Sequence, residues 1–153
     1  MQEYSSWAVA TSDGIIVIDT IWAHSVEDEI VGGLKKLGFD PANIKYAIVS
    51  HAHIDHIGGA KCLQDTYGTR IVMSAADWDL TEKSPRLPAE IKPRRDVVVA
   101  DGDKLTLGDT TLPIHLTPSH HARDDIAADP GKGWRTPASR RHLGRHGVQF
   151  RAD

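Results

Sequence analysis

His51, His53, Asp55 and His56 stand within six residues, directly after the apolar run Tyr46-Ala47-Ile48-Val49-Ser50. Packing gives no reason to crowd so many donor side chains into one stretch. Metal chemistry does, because neutral imidazoles and carboxylates are what first-row ions bind. His51 and His53 are two apart, so on an extended loop both can turn toward one ion. Zinc held by imidazoles needs nitrogens about 2.0–2.1 Å away, and a catalytic site keeps one position for water. A third ligand must then come from elsewhere. The candidate is His120 in Leu116-Thr117-Pro118-Ser119-His120-His121, with His121 as the adjacent alternative. Asp55 and His56 could hold a second ion a few ångströms from the first. Two ions sharing a water generate hydroxide near neutral pH and clamp a developing oxyanion. Of the nine histidines in the chain, His24, His115, His142 and His146 lack such a context and read as surface or hydrogen-bonding residues.

The elements that must position this cluster follow from the pattern around it. Trp7–Ala10 and Gly14–Asp19 read as a hairpin turned at Ser12-Asp13-Gly14. Ser25 is placed to cap a helix with Asp28 as its box partner. The apolar positions Val26, Ile30, Leu34 and Leu37 share one face, and Gly38 stops the run. Tyr46–Ser50 reads as a buried strand. The histidine loop follows it, and Gly58 and Gly59 let the backbone pass close beneath before a helix that ends at Gly68. Arg70–Ser74 is a further strand, and Ser74 caps a short turn over residues 75–80. Residues 81–95 form a surface loop. Strands are expected over 96–100, 104–107 and 111–116. This order is α/β, with the cluster at the C-terminal end of a strand, where open α/β sheets carry their chemistry. Asp19 ends its strand where it can either orient a ligand histidine or bond the loop backbone. Cys62 reads as a small buried hydrophobe, and Trp78 as core packing rather than a rim over the site.

Bulk numbers narrow the classes. A chain of 153 residues suffices for one domain, and 25% charged with 40% hydrophobic content suits a globular one. A formal net charge of −3 gives no broad case for nucleic acid or an anionic membrane as partner. One cysteine excludes an internal disulfide framework and a thiolate cluster. No apolar run is long enough to span a membrane, and no signal peptide is read at the start. After Ser119 the text changes: six of the ten arginines fall between Arg123 and Arg151, with isolated apolar residues and no sustained period. Residues 122–153 are therefore expected to be an irregular Arg-rich tail beside a domain over 1–121. That tail reads like translation in a shifted frame or a foreign end.

The residues His51, His53, Asp55 and His56 match the H-x-H-x-D-H signature of the metallo-β-lactamase superfamily. The stretches GIIVIDT, IKYAIVSHAHIDHIGG, IVMSAADWDL and LTLGDTTLPIHLTPSHH resemble the metallo-hydrolases nearest the third subclass of metallo-β-lactamases. The resemblance covers roughly residues 5–121. It implies an αββα sandwich of two similar halves, of which this chain holds the first and the start of the second. It also implies a first Zn2+ on His51, His53 and His120, a second on Asp55 and His56, and a bridging hydroxide as nucleophile. Asp55 would orient that hydroxide and help move protons. Ser119 stands where family members usually carry glycine. Residues 121–153 do not resemble the family's continuation, which brings a further histidine to the second zinc.

Two functions follow as expectations. One is a zinc-dependent hydrolase in which water attacks a β-lactam, amide or ester carbonyl of a small-molecule substrate. The other is a truncated, inactive remnant that binds zinc weakly. In either case a sheet face awaiting the other half would expose an apolar patch and invite self-association.

Overall fold

The computed structural model describes residues 4–118, 124–128 and 147–152. Strands β1 (Tyr4–Thr11) and β2 (Gly14–Ile18) form the expected hairpin, closed by the pair Thr11↔Gly14 with Gly14 at φ 144°. A π-helical turn, Val26–Val31, continues as helix α1 (Gly32–Lys36). Then come β3 (Ile44–Ile48), α2 (Ile54–Ile57), α3 (Ala60–Tyr67), β4 (Arg70–Ser74) and α4 (Ala75–Lys83). Strands β5 (Val97–Val99), β6 (Lys104–Leu107) and β7 (Thr110–Pro118) follow. Two further strands are β8 (Asp124–Ala128) and β9 (Gly147–Ala152).

One sheet has the order β5-β4-β3-β2-β1-β9, and β2, β3, β4 and β5 run parallel within it. The other is β6-β7-β8, antiparallel throughout. Strand period sorts the core into two clusters. Ile15, Val17, Ala47, Val49, Ile71 and Met73 face Val26, Ile30, Leu34, Leu63 and Trp78 of the helical layer. Their neighbours Ile16, Ile48 and Val72 face Leu105, Leu112, Ile114 and Ile126 of the second sheet. Strands apolar on both faces are what a central parallel sheet requires. Each fully buried Ile or Leu contributes about 1.5–3 kcal/mol. The described residues thus form three layers, helices on a six-stranded sheet on a three-stranded one, and the fold is α/β.

Several expectations need correction. Ser25 makes no side-chain cap: it sits at φ −100°, ψ −16°, already helical, so its hydroxyl does not swing over the first N–H groups. The π-helical turn also shifts the phase of the helix, leaving Leu37 45% exposed at its end. Helix α4 runs on to Lys83, into the segment read as loop. Within the segment read as an irregular tail, β8 pairs with β7 and β9 pairs with β1. Backbone pairing leaves little trace in a sequence whose apolar residues are isolated. At Val9, Ile16, Ile48, Val72 and Val99 the apolar sheet face expected to lie open packs against the second sheet. That sheet turns Thr106, Thr111, His115 and Thr117 outward, all of them exposed. Among the described residues, the exposed large apolar side chains are Leu37 and Val98. No helix among them is long and apolar enough to cross a membrane.

Candidate metal centre

The C-terminal ends of β2 and β3 lie side by side, and their exits build the site. Beyond β2 the chain turns sharply: Asp19 (φ 59°) and Ile21 (φ 49°) both adopt the left-handed region. Aspartate tolerates this conformation, whereas a β-branched residue there is strained. The turn is pinned on several sides. Asp19 N–H donates to Ile48 O at 2.8 Å, and Ser6 Oγ donates to Asp19 O at 2.6 Å. Thr20 N–H and Oγ1 both donate to His56 O, at 2.7 and 2.8 Å.

Gly58 and Gly59 bear directly on this approach, as expected. A Cβ on Gly58 would lie 2.6 Å from Ile54 O and 2.7 Å from Ile21 O. One on Gly59 would meet Thr20 O and lie 2.8 Å from two Val26 carbons. The backbone of the histidine loop can lie this close to the 20–21 turn only where no side chain intervenes.

The cluster itself is partly buried at His51, His53, Asp55 and His56. The His51 ring centre lies 4.6 Å from that of His53 and 4.0 Å from that of His56. His56 Nδ1 sits 2.9 Å from Asp19 Oδ2, and its Nε2 lies 3.6 Å from Asp55 Oδ2. Asp19 also accepts from Ser50, at Oδ1 from the backbone N–H (2.8 Å) and at Oδ2 from the hydroxyl (3.0 Å). Ser50 Oγ is in turn 3.1 Å from His51 Nδ1.

Hydrogen-bond polarity then fixes the rings. An ionised carboxylate only accepts, so His56 Nδ1 carries its proton. Where the Ser50 hydroxyl, which also lies 3.3 Å from His56 Nδ1, donates to Asp19, it accepts from His51, and His51 Nδ1 carries a proton too. One carboxylate thereby sets the same tautomer on two histidines, directly for His56 and through Ser50 for His51. In that tautomer the ring's lone pair is on Nε2, an atom through which an imidazole can bind an ion.

Asp19 therefore does both things its position suggested: it orients a histidine and it bonds the loop backbone. Ser50 was not singled out in the sequence, although a hydroxyl closing an apolar run is a visible signal. Among the described residues no three His, Cys, Asp or Glu side chains form a group suited to one ion. His120, the candidate third ligand, lies outside the described residues, as do His121, His142 and His146. His24 and His115 are exposed. Trp78 is fully buried, with Nε1 donating to Val97 O at 2.9 Å, so it belongs to the core. Cys62 is only half-buried, with Sγ 3.5 Å from Glu27 Oε1. Burial, then the hydrogen bond to Glu27, pushes its thiol pKa up.

A family model described as the metallo-beta-lactamase superfamily matches residues 3–133. The chain belongs to the metallo-beta-lactamase superfamily. That match runs past residue 121, where the resemblance read in the sequence stops, and takes in β8. An N-acyl homoserine lactonase of a Bacillus species is 33% identical over 95 residues, which are 61% of this chain and 36% of that protein. A hydroxyacylglutathione hydrolase of Acidiphilium cryptum is 34% identical over 117 residues, 75% of this chain and 40% of that one. The solved metallo-beta-lactamase of Cronobacter sakazakii with the HARLDQ motif superposes with a TM-score of 0.72 at 29% identity, covering 82% of this chain and 48% of that one. A subclass B3 metallo-beta-lactamase of Bradyrhizobium japonicum gives 0.67 at 30% identity, covering 94% and 61%. This superfamily chain thus spans well under half of these two curated relatives and about half to three fifths of these two solved structures.

Proposed function

We propose that the histidine loop belongs to a zinc-dependent hydrolase that acts on the carbonyl of a β-lactam, an ester (including a lactone) or an amide. His51, His53 and His120 would hold one zinc, and Asp55 and His56 would hold a second. The donor set suits the ion: imidazoles with assigned Nε2 lone pairs, and one carboxylate beside them. Zinc bound there supplies a Lewis acid for a carbonyl oxygen and acidifies a coordinated water toward neutral pH. The chain's own residues do the rest. Asp19 holds His56 and, through Ser50, His51 in the tautomer that binds. Asp55 orients the attacking water and takes up its proton.

The observation that carries this reading is the Asp19–Ser50–His51–His56 network, which builds a metal-facing tautomer into two rings at the end of a parallel strand. The relatives named above, called lactonase, hydroxyacylglutathione hydrolase and beta-lactamase, support hydrolysis at an acyl carbon. Turnover of a chromogenic lactam and of a lactone by purified, zinc-loaded protein tests the proposal. Zinc retained without turnover of either would favour instead a chain that binds zinc without hydrolysing these substrates, the second reading.

A further inference from the structure

Asp19 reaches the histidine loop from β2, on one side of β3. On the other side of β3 lies β4, and the helix that follows it carries a buried carboxylate, Asp77. We infer that Asp77 is a positioning residue that sets the histidine loop by holding the backbone between His51 and His53.

The local sequence explains why Asp77 is available. Ser74-Ala75-Ala76-Asp77 has the spacing of a capping box. One half of the box forms: Asp77 N–H donates to Ser74 Oγ at 3.1 Å. In the other half, the third residue's side chain ordinarily returns to the backbone N–H of the capping residue. Here it does something else. Oδ2 takes the Ser74 hydroxyl proton at 2.6 Å, and Oδ1 accepts from Ala52 N–H at 3.1 Å.

Burial makes that diversion informative. Asp77 is 2% exposed and Ala52 4%. No ion pair among the described residues includes Asp77. A buried carboxylate without a counter-charge is costly unless its bonds are all made. A cap needs no burial, so the cap does not account for the carboxylate being this deep. The first turn of α4 favours the negative charge, and beyond the helix and its Ser74 cap Asp77 reaches Ala52.

The anchor is itself rigid. Trp78, beside it in the helix, is fully buried and held to Val97. Fixing Ala52 N–H fixes the peptide plane between His51 and Ala52. That plane sets the direction in which His51 leaves the chain and the entry to His53, which is extended at φ −92°, ψ 150°. Asp77 touches no donor atom of the cluster, so it acts only through the backbone.

The consequence for zinc rests on the function proposed above, whereas the consequence for the loop does not. The test compares the full chain with Asp77→Ala, Asp77→Asn and Asp77→Glu. Thr81→Ala serves as a destabilised control on the same helix. In metal-free protein, hydrogen exchange at the Ala52 amide should accelerate about tenfold or more in Asp77→Ala. It should stay within about threefold of wild type in Asp77→Asn, whose amide oxygen still accepts. Zinc affinity by chelator competition should fall about tenfold to a hundredfold in Asp77→Ala and be largely rescued in Asp77→Asn. Thr81→Ala should lower the melting temperature and leave zinc affinity alone. Asp77→Glu keeps the charge and the capping spacing but lengthens the reach. It should fold and still disturb Ala52, which keeps the test decisive if Asp77→Ala does not fold. Unchanged Ala52 exchange in Asp77→Ala, or in Asp77→Glu where Asp77→Ala does not fold, overturns the inference. So does a loss of zinc affinity in Thr81→Ala as large as in Asp77→Ala. If wild type retains no zinc, the proposed function falls, and the exchange measurement still decides the role of Asp77.

Discussion

Replacing Asp19 with Asn would invert a hydrogen-bond network without moving the backbone. Asparagine tolerates φ near 59° as aspartate does. Its amide oxygen can keep the 2.8 Å bond from Ser50 N–H. The change falls at Oδ2, which becomes an NH2 group facing Ser50 Oγ and His56 Nδ1, at 3.0 and 2.9 Å in the native chain. Those positions now meet a donor. His56 must present a lone pair at Nδ1 and carry its proton at Nε2, the atom that should face the ion. Two charge-assisted bonds become neutral ones, at a cost of about 1 kcal/mol each. The sum, about 2 kcal/mol, lowers the melting temperature by roughly 4–8 °C for a chain of this size. Zinc affinity should fall about tenfold to a hundredfold, the usual effect of losing such a partner. That corresponds to roughly 1.4–2.8 kcal/mol. Two-bond nitrogen–proton spectra of metal-free protein report the tautomer of each ring, and chelator competition reports the affinity. Wild type should show protonated Nδ1 on His56 and His51, and the variant protonated Nε2 on His56. If Asp19→Asn keeps protonated Nδ1 and wild-type affinity, the polarity argument is wrong.

Other substitutions probe the remaining links. His53→Ala should abolish most zinc retention on dialysis. Asp55→Asn should leave the first zinc bound yet lower turnover per bound zinc about a hundredfold, and near-native turnover per zinc would remove Asp55 from the mechanism. Gly59→Ala drives a methyl against Thr20 O and Val26, so urea unfolding should show a loss of about 1–3 kcal/mol; an unchanged midpoint would mean the turn relaxes freely. The raised Cys62 pKa means the folded chain holds the thiol proton more tightly than the unfolded chain does. Alkylation at pH 8 should therefore be slower than for an exposed thiol, and Glu27→Gln should speed it. The stability linked to this group is present below the ordinary thiol pKa and fades as pH rises through the folded value. An alkylation profile matching that of a free thiol would contradict this.

Much of this was legible because it rests on local rules. The hairpin at Ser12-Asp13, the stops at Gly38 and Gly68, the Ser74 cap and the double-faced strands all follow from residue type and spacing. The crowding of donor-type residues is plain in the sequence too, since no packing rule produces His51, His53, Asp55 and His56 together. What escaped depends on partners far apart in sequence. Ser25 has the right chemistry for a cap, but a π-helical turn took its backbone out of reach. β8 and β9 are held by pairing with β7 and β1, and edge pairing uses backbone groups that every residue carries. Asp77 stands at capping-box spacing from Ser74, and nothing local says that its carboxylate faces Ala52.

The left-handed turn that carries Asp19 is strained at Ile21. A left-handed β-branched residue costs of order 1–3 kcal/mol and persists only where surroundings over-determine it. Here the surroundings are the site itself. Thr20 gives two bonds to His56 O, Gly59 N–H donates to Ile21 O at 3.2 Å, and Asp19 holds Ser50. Relaxing the turn would release His56 and the loop backbone together. An extended exit from β2 would be the easier conformation for Ile21. It would also carry Asp19 away from β3, where its carboxylate sets two histidine tautomers at once. The fold therefore holds an unfavourable turn in order to bring one carboxylate under the histidine loop. Gly58 and Gly59, without side chains, are what allow the loop to come down to meet it.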